Sequence, residues 1–252
     1  MEKLNFQDLA FLRMESQQRP FHVAGLLVFS PPASAPPDYL RRLARDIGAG
    51  LPRIDALFRR RLEAVASSAP YWVEADDYDP AYHVHHYALP QPGRMEDLLA
   101  LLSRTHERLL DRSRPLWEWH LVEGLPRKRF GLYCKVHHSL MDGVGAMRMI
   151  DKVLSQNPRT PFGSGHAGAA HKAHAGSPSP GWFAGIAQAA ASLRDQGKAI
   201  PQLASMLMRM GNDGHTDSPP LPFTAPRATM NHEISHRRRL LTAQFPLAAV
   251  RR

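Results

Sequence analysis

From Trp117 to Leu154 the chain reads as strand, turn, strand, turn, helix, and this succession restricts the fold more than any other stretch. Trp117 to Val122 and Phe130 to His138 carry strand-type residues on either side of Glu123-Gly124-Leu125-Pro126-Arg127-Lys128. That arrangement predicts an antiparallel hairpin. Alternation along the second strand puts Phe130, Leu132, Cys134, Val136 and His138 on one face, with Gly131, Tyr133, Lys135 and His137 on the other. The adjacent His137 and His138 therefore point opposite ways, and His138 closes an otherwise apolar face at the strand's C-terminal tip. After Asp142-Gly143, the residues Val144, Met147, Ile150 or Asp151, and Leu154 recur at helical spacing.

The preceding sequence alternates the same two periods, which predicts a mixed α/β layer structure from Met1 to about residue 156. His22 to Phe29 (HVAGLLVF) is apolar on both alternating faces after Val23, so it is expected to be a strand covered on two sides. Pro36-Pro37-Asp38 opens a helix whose stripe is Leu40, Leu43, Ala44, Ile47 and Leu51. Met95, Leu98, Leu99, Leu102, His106 and Leu109 mark a second, between Pro92-Gly93 and Pro115.

Downstream the composition changes. Residues 157–230 are expected to form a linker: a Gly/Ala/Ser/Pro/His-rich stretch to Pro180, amphipathic helices over Trp182–Arg194 and Ile200–Met210, then a Pro-rich loop. Those helices suit either a membrane surface or a partner domain. Residues 231–252 are expected to open a second, shortened unit, with Arg238 to Val250 starting a strand.

A formal net charge of +9 points to an anionic partner: nucleic acid, an anionic lipid surface, or a phosphorylated small molecule such as coenzyme A. Arg59-Arg60-Arg61 and Arg237-Arg238-Arg239 are short, separated, and lack the surroundings of a nucleic-acid module, so they are read as solvated faces. The single cysteine excludes an internal disulfide framework. No apolar run approaches the roughly 18 to 20 residues that span a bilayer, and the first residues lack a signal-type apolar core. A cytoplasmic protein is expected, with peripheral attachment at the inner membrane face left open.

His137-His138-Ser139-Leu140-Met141-Asp142-Gly143 carries the chemistry. Acyl transfer to a hydroxyl needs a base within hydrogen-bond reach, and imidazole titrates near the working pH. His138, at the end of an apolar face, is the candidate general base. Gly143 would let a substrate or backbone approach closely. Asp142 could orient a histidine, cap the following helix or pair with an arginine, and the structural role is favoured.

This segment resembles the His-His-x-x-x-Asp-Gly motif of the bacterial wax ester synthase/diacylglycerol acyltransferase family. Pro115-Leu116-Trp117 is similar to that family's Pro-Leu-Trp landmark. Leu4 to Phe29, Tyr82 to Pro90 and Asn231 to Arg239 are also similar to family segments. The resemblance implies a coenzyme A-dependent acyltransferase-like fold made of two related halves, of which this chain holds the first. It implies transfer of a fatty acyl group from acyl-CoA, as co-substrate, to diacylglycerol or a long-chain alcohol, with His138 as base and no cofactor. The family's second-half motifs have no counterpart here.

Other readings compete. A condensation-type amide or ester former shares the motif, and a non-catalytic paralogue binding lipid or a full-length relative needs no second half. A homo-oligomer stays open. The 14 histidines invite a metal site from His83, His85, His86, His137 and His138, but carboxylates at ligand spacing are few and no metal is expected. Cys134 sits at apolar parity and is read as core. Pro115, Leu116 and Trp117 are expected to pack near the site or line the substrate channel.

Overall fold

The computed structural model describes residues 2–63, 70–155, 160, 162 and 234–250. The linker, with its two expected helices, lies outside the described residues. The expected hairpin forms the centre: β6 (Trp117–Leu125) and β7 (Arg129–His137) pair antiparallel. β2 (His22–Phe29) adds to β7 antiparallel, from His22 opposite His137 to Phe29 opposite Phe130. β5 (Val84–Ala88) adds to β6 in parallel, giving the order β2-β7-β6-β5. The parallel pair requires a crossover, supplied by helix α4 (Met95–Glu107). A smaller antiparallel sheet, β1 (Glu2–Lys3), β4 (Tyr71–Glu74) and β3 (Arg60–Glu63), has β4 in the middle.

The parity of β7 decides what each face meets. Leu132 faces Leu121 across the ladder and Cys134 faces Trp119; these pack with Phe58, with helix α2 (Tyr39–Ile54), and with Met149 of helix α5 (Gly143–Val153). On the other face Val122 and Tyr133 pack with Leu98 and Leu102 of α4, both wholly buried. The sheet is thus covered on both faces. α4 ends at Glu107, short of the stripe residue Leu109, because Arg108 is extended (φ −77°, ψ 132°). α1 (Phe6–Met14), capped by Asn5, whose Oδ1 accepts from Asp8 N at 2.8 Å, and the one-turn helix α3 (Pro80–His83) complete the frame.

Three expectations are corrected. β2 is not fully covered on both faces: Ala24 and Gly25 are exposed and Val28 is 39% exposed, and β2 lies at an edge of the described sheet, where the packing helices cover it incompletely. β6 runs on to Leu125 past a register shift at Val122. Gly124 there has φ +102°, and Gly93 (φ +64°) approaches so closely that a Cβ would stand 1.9 Å from the Gly124 oxygen. Lastly, residues 234–246 form no strand and Leu247–Val250 form a short helix. This segment lies along α4 instead, where Arg238 N donates to Glu107 Oε1 at 2.8 Å and Leu240 N to Ser103 Oγ at 2.9 Å. Arg59 and Arg60 are spent on ion pairs with Glu74 (3.2 Å) and Glu2 (2.9 Å).

Candidate active site

β7 stops at His137 because the backbone turns there: the His137 carbonyl accepts from both Leu140 N (3.0 Å) and Met141 N (3.3 Å). The two histidines are then held differently. His138 N donates to Phe21 O at 2.8 Å, and its ring lies 4.8 Å from the Phe11 ring. Its Nδ1 is buried with no hydrogen-bond partner among the described residues. His137 is wholly buried. Its Nδ1 accepts from Ser139 N at 3.0 Å and stands 2.6 Å from Ser139 Oγ, while Nε2 faces Glu15 Oε1 at 3.3 Å. A ring nitrogen that accepts a backbone proton is unprotonated, so the proton of neutral His137 is on Nε2, toward Glu15.

Glu15 anchors the turn from behind. Its carboxylate, 1% exposed, accepts from Phe21 N (3.1 Å) and from Arg112 (3.1 Å), in addition to facing His137. Burial by itself would raise its pKa, but the bonds from His137, the Phe21 backbone and Arg112 outweigh it and hold the group at about 2. Neither Glu15 nor Arg112 was assigned a role from sequence. Glu15 is 122 positions from His137, and no periodicity connects them.

Asp142 is the N-cap of α5: its Oδ1 accepts from Gly145 N at 2.6 Å and its carbonyl accepts from Ala146 N at 2.8 Å. Gly143 is exposed, and a Cβ there would meet nothing within 4 Å. No contact among the described residues demands glycine at 143, whereas at Gly145 a Cβ would stand 3.0 Å from Asp142 Oδ1 and 3.1 Å from Met141 Cγ. The sequence pattern gave no weight to Gly145.

Leu116 and Trp117 are wholly buried, and they tie the turn to the core. The Leu116 carbonyl accepts from His137 N at 2.9 Å, and Trp117 Nε1 donates to Phe58 O at 2.8 Å. The Trp117 ring stacks on His83 at 4.5 Å. On the same sheet face, beside the turn, an apolar cavity of about 240 Å³ is lined by Val23, Leu27, Cys134, Val136, Met141 and Ile150 among others. Burial pushes the Cys134 thiol far above the ordinary range, so it lines this cavity as a small apolar group.

Lys135 has no exposed surface, and its Nζ donates to the carbonyls of Thr105 (3.0 Å) and Arg108 (2.5 Å) at the C-terminal end of α4, where a cation is favoured. Its pKa is lowered by that burial. The five histidines considered for a metal form no common cluster among the described residues: His83 is on Trp117, His86 faces Glu123 at 3.6 Å, His137 faces Glu15 and His138 lies against Phe11.

Comparison with known proteins decides the family. The wax ester synthase/diacylglycerol acyltransferase catalytic domain matches residues 4–252. The chain belongs to this family. A probable diacylglycerol O-acyltransferase of Mycobacterium tuberculosis (strain ATCC 25618 / H37Rv) is 43% identical over 160 residues, covering 63% of this chain and 35% of its own length. Another from the same strain, described as a putative diacylglycerol O-acyltransferase, is 35% identical over 249 residues, covering 95% of this chain and 52% of its own length. The solved wax ester synthase/diacylglycerol acyltransferase of Marinobacter aquaeolei VT8 shares 46% identity and a TM-score of 0.58, over 64% of this chain and 38% of that one. The chain spans about a third to a half of the length of these relatives. The family's acyltransferase-like fold is thus the fold of this chain, as the motif resemblance implied.

Proposed function

We propose that this chain carries the base-bearing part of an acyl-CoA-dependent O-acyltransferase acting on diacylglycerol or a long-chain alcohol. The observation that carries the reading is the difference between the paired histidines. His137 holds the Ser139 backbone proton on Nδ1 and sets Nε2 against the buried Glu15 carboxylate at 3.3 Å, an ion-pair contact without hydrogen-bond geometry, whereas His138 Nδ1 makes neither a hydrogen bond nor an ion pair among the described residues. Of the two, His138 is the one free to exchange a proton.

In this reaction the imidazole of His138 takes the proton of the acceptor hydroxyl as its oxygen attacks the thioester carbonyl. The C–O bond forms, the tetrahedral intermediate collapses with cleavage of the C–S bond, and the imidazolium returns the proton to the departing thiolate. No acyl-enzyme is needed. His137 and Glu15 hold the turn that presents His138, and Asp142 fixes the start of α5 behind it. The open space at Gly143 and the apolar cavity beside the turn suit an acyl chain approaching from the Val136 face. No helix among the described residues is long and apolar enough to cross a membrane. Acceptors of this class partition into bilayers, so peripheral contact with a membrane or lipid-droplet surface belongs to the same proposal.

The test is incubation of the chain with radiolabelled acyl-CoA and either hexadecanol or dioleoylglycerol. Product is expected with at least one acceptor and is expected to be lost in His138→Ala at unchanged circular dichroism. Wild-type turnover by His138→Ala would overturn the role of His138. No product from the wild-type chain with either acceptor would favour the non-catalytic reading.

A further inference from the structure

Outside the turn, the least satisfied polar group is His120, whose two ring nitrogens are both buried without a hydrogen-bond partner while the residue is only 3% exposed. A buried imidazole needs a hydrogen-bond partner for at least one nitrogen, and a ring with none, held only by an ion-pair contact from Nε2 to Glu118, leaves a position for an occupant. Its surroundings indicate which. His120 stands directly opposite His85 in the parallel pair of β5 and β6, and Glu118 lies two residues before it on the same face. The His85 and His120 rings are 4.7 Å apart, and Glu118 Oε2 is 3.3 Å from His120 Nε2. One ligand atom from each of the three lies within 4.8 Å of those of the others.

We propose that His85, Glu118 and His120 bind a divalent transition metal of the zinc class, on the sheet face opposite His138. Two imidazoles and one carboxylate form a ligand set that suits zinc and leaves a fourth position open. Tetrahedral ligand atoms stand about 2.0–2.2 Å from the ion and hence about 3.4 Å from one another. The observed spread of up to 4.8 Å therefore needs to contract by up to about 1.4 Å, a movement available to His85, which is half-buried at the sheet edge. One charge opposes the metal: Lys135 Nζ lies 3.9 Å from Glu118 Oε2. Its protons are directed to the Thr105 and Arg108 carbonyls, which leaves the carboxylate available to the ion. Tyr87 and Tyr133, with ring centroids 6.0 and 5.8 Å from that of His120, flank the group. A bound ion would join the edge strand β5 to β6.

The untagged chain, stripped with chelator and dialysed, is titrated with zinc chloride by calorimetry and with cobalt(II) by visible absorption. One saturable equivalent per chain is expected, with a tetrahedral cobalt band and a rise in Tm on adding zinc. His85→Ala removes the more accessible ligand and Glu118→Gln keeps the shape of the carboxylate. Each is expected to weaken zinc at least about tenfold and to abolish the Tm rise, while His86→Ala, pointing the other way, binds as wild type. Absence of saturable binding, or wild-type affinity in both His85→Ala and Glu118→Gln, would overturn the site and leave His120 to an ordinary bridging water.

Discussion

Replacing Glu15 by glutamine removes one negative charge from behind the active-site turn while keeping the side chain's shape. Folding lowers this carboxyl from 4.5 to about 2, and each unit corresponds to about 1.4 kcal/mol. The full shift would be about 3.4 kcal/mol. The Arg112 end is open to water, its side chain 46% exposed, and screening there brings the expectation to about 2–3 kcal/mol. The sign follows from linkage: a depressed folded-state pKa contributes stability that is complete above the unfolded value and is lost as pH falls toward the folded one. Urea unfolding of wild type and Glu15→Gln is therefore expected to differ by about 2–3 kcal/mol at pH 7. The difference should shrink through the interval from pH 4.5 to 2, fixed by the two ends of the shift. A difference that does not change with pH, or one below about 0.5 kcal/mol at pH 7, would refute the assignment of Glu15 as the anionic anchor of His137. Because His137 Nε2 faces this carboxylate, acyl transfer should fall in the variant as the turn loosens.

Trp117→Ala is expected to cost about 3–5 kcal/mol in chemical denaturation, because the ring is wholly buried and the Phe58 carbonyl loses its donor. Trp117→Phe should cost less, since it keeps most of the packing and loses the hydrogen bond. Asp142→Ala removes the α5 cap and should lower stability by about 1 kcal/mol, whereas Asp142→Asn, which can still accept from Gly145, should be near neutral. Gly93→Ala meets both a positive φ and a Cβ position 1.9 Å from the Gly124 oxygen. A loss of more than about 2 kcal/mol, or insoluble expression, is expected.

Much of the active-site turn was legible because its pattern is local. Two-residue alternation predicted opposite faces for His137 and His138, but β7 ends at His137 and His138 already lies in the turn. The helical stripes of α2 and α4 were legible for the same reason, as was the cap geometry around Asp142, which needs only a three-residue reach. Edge status was not legible: HVAGLLVF is apolar enough for a central strand, and only the folded sheet shows β2 at its edge with Ala24 and Gly25 exposed. The small β1-β4-β3 sheet also escaped, since strands of two to four residues carry too little alternation.

The sequence by itself determined the groups offered by one strand and turn: an imidazole after an apolar face, an aspartate to start the helix and small residues to let the chain bend. Tertiary structure decided what holds that imidazole. Glu15, Arg112 and Leu116 reach the turn from distant segments. Likewise His85 meets His120 only because α4 carries the chain from β5 to a parallel β6. Such meetings depend on how elements pack across a sheet, and the repeat of a single strand or helix holds no record of them.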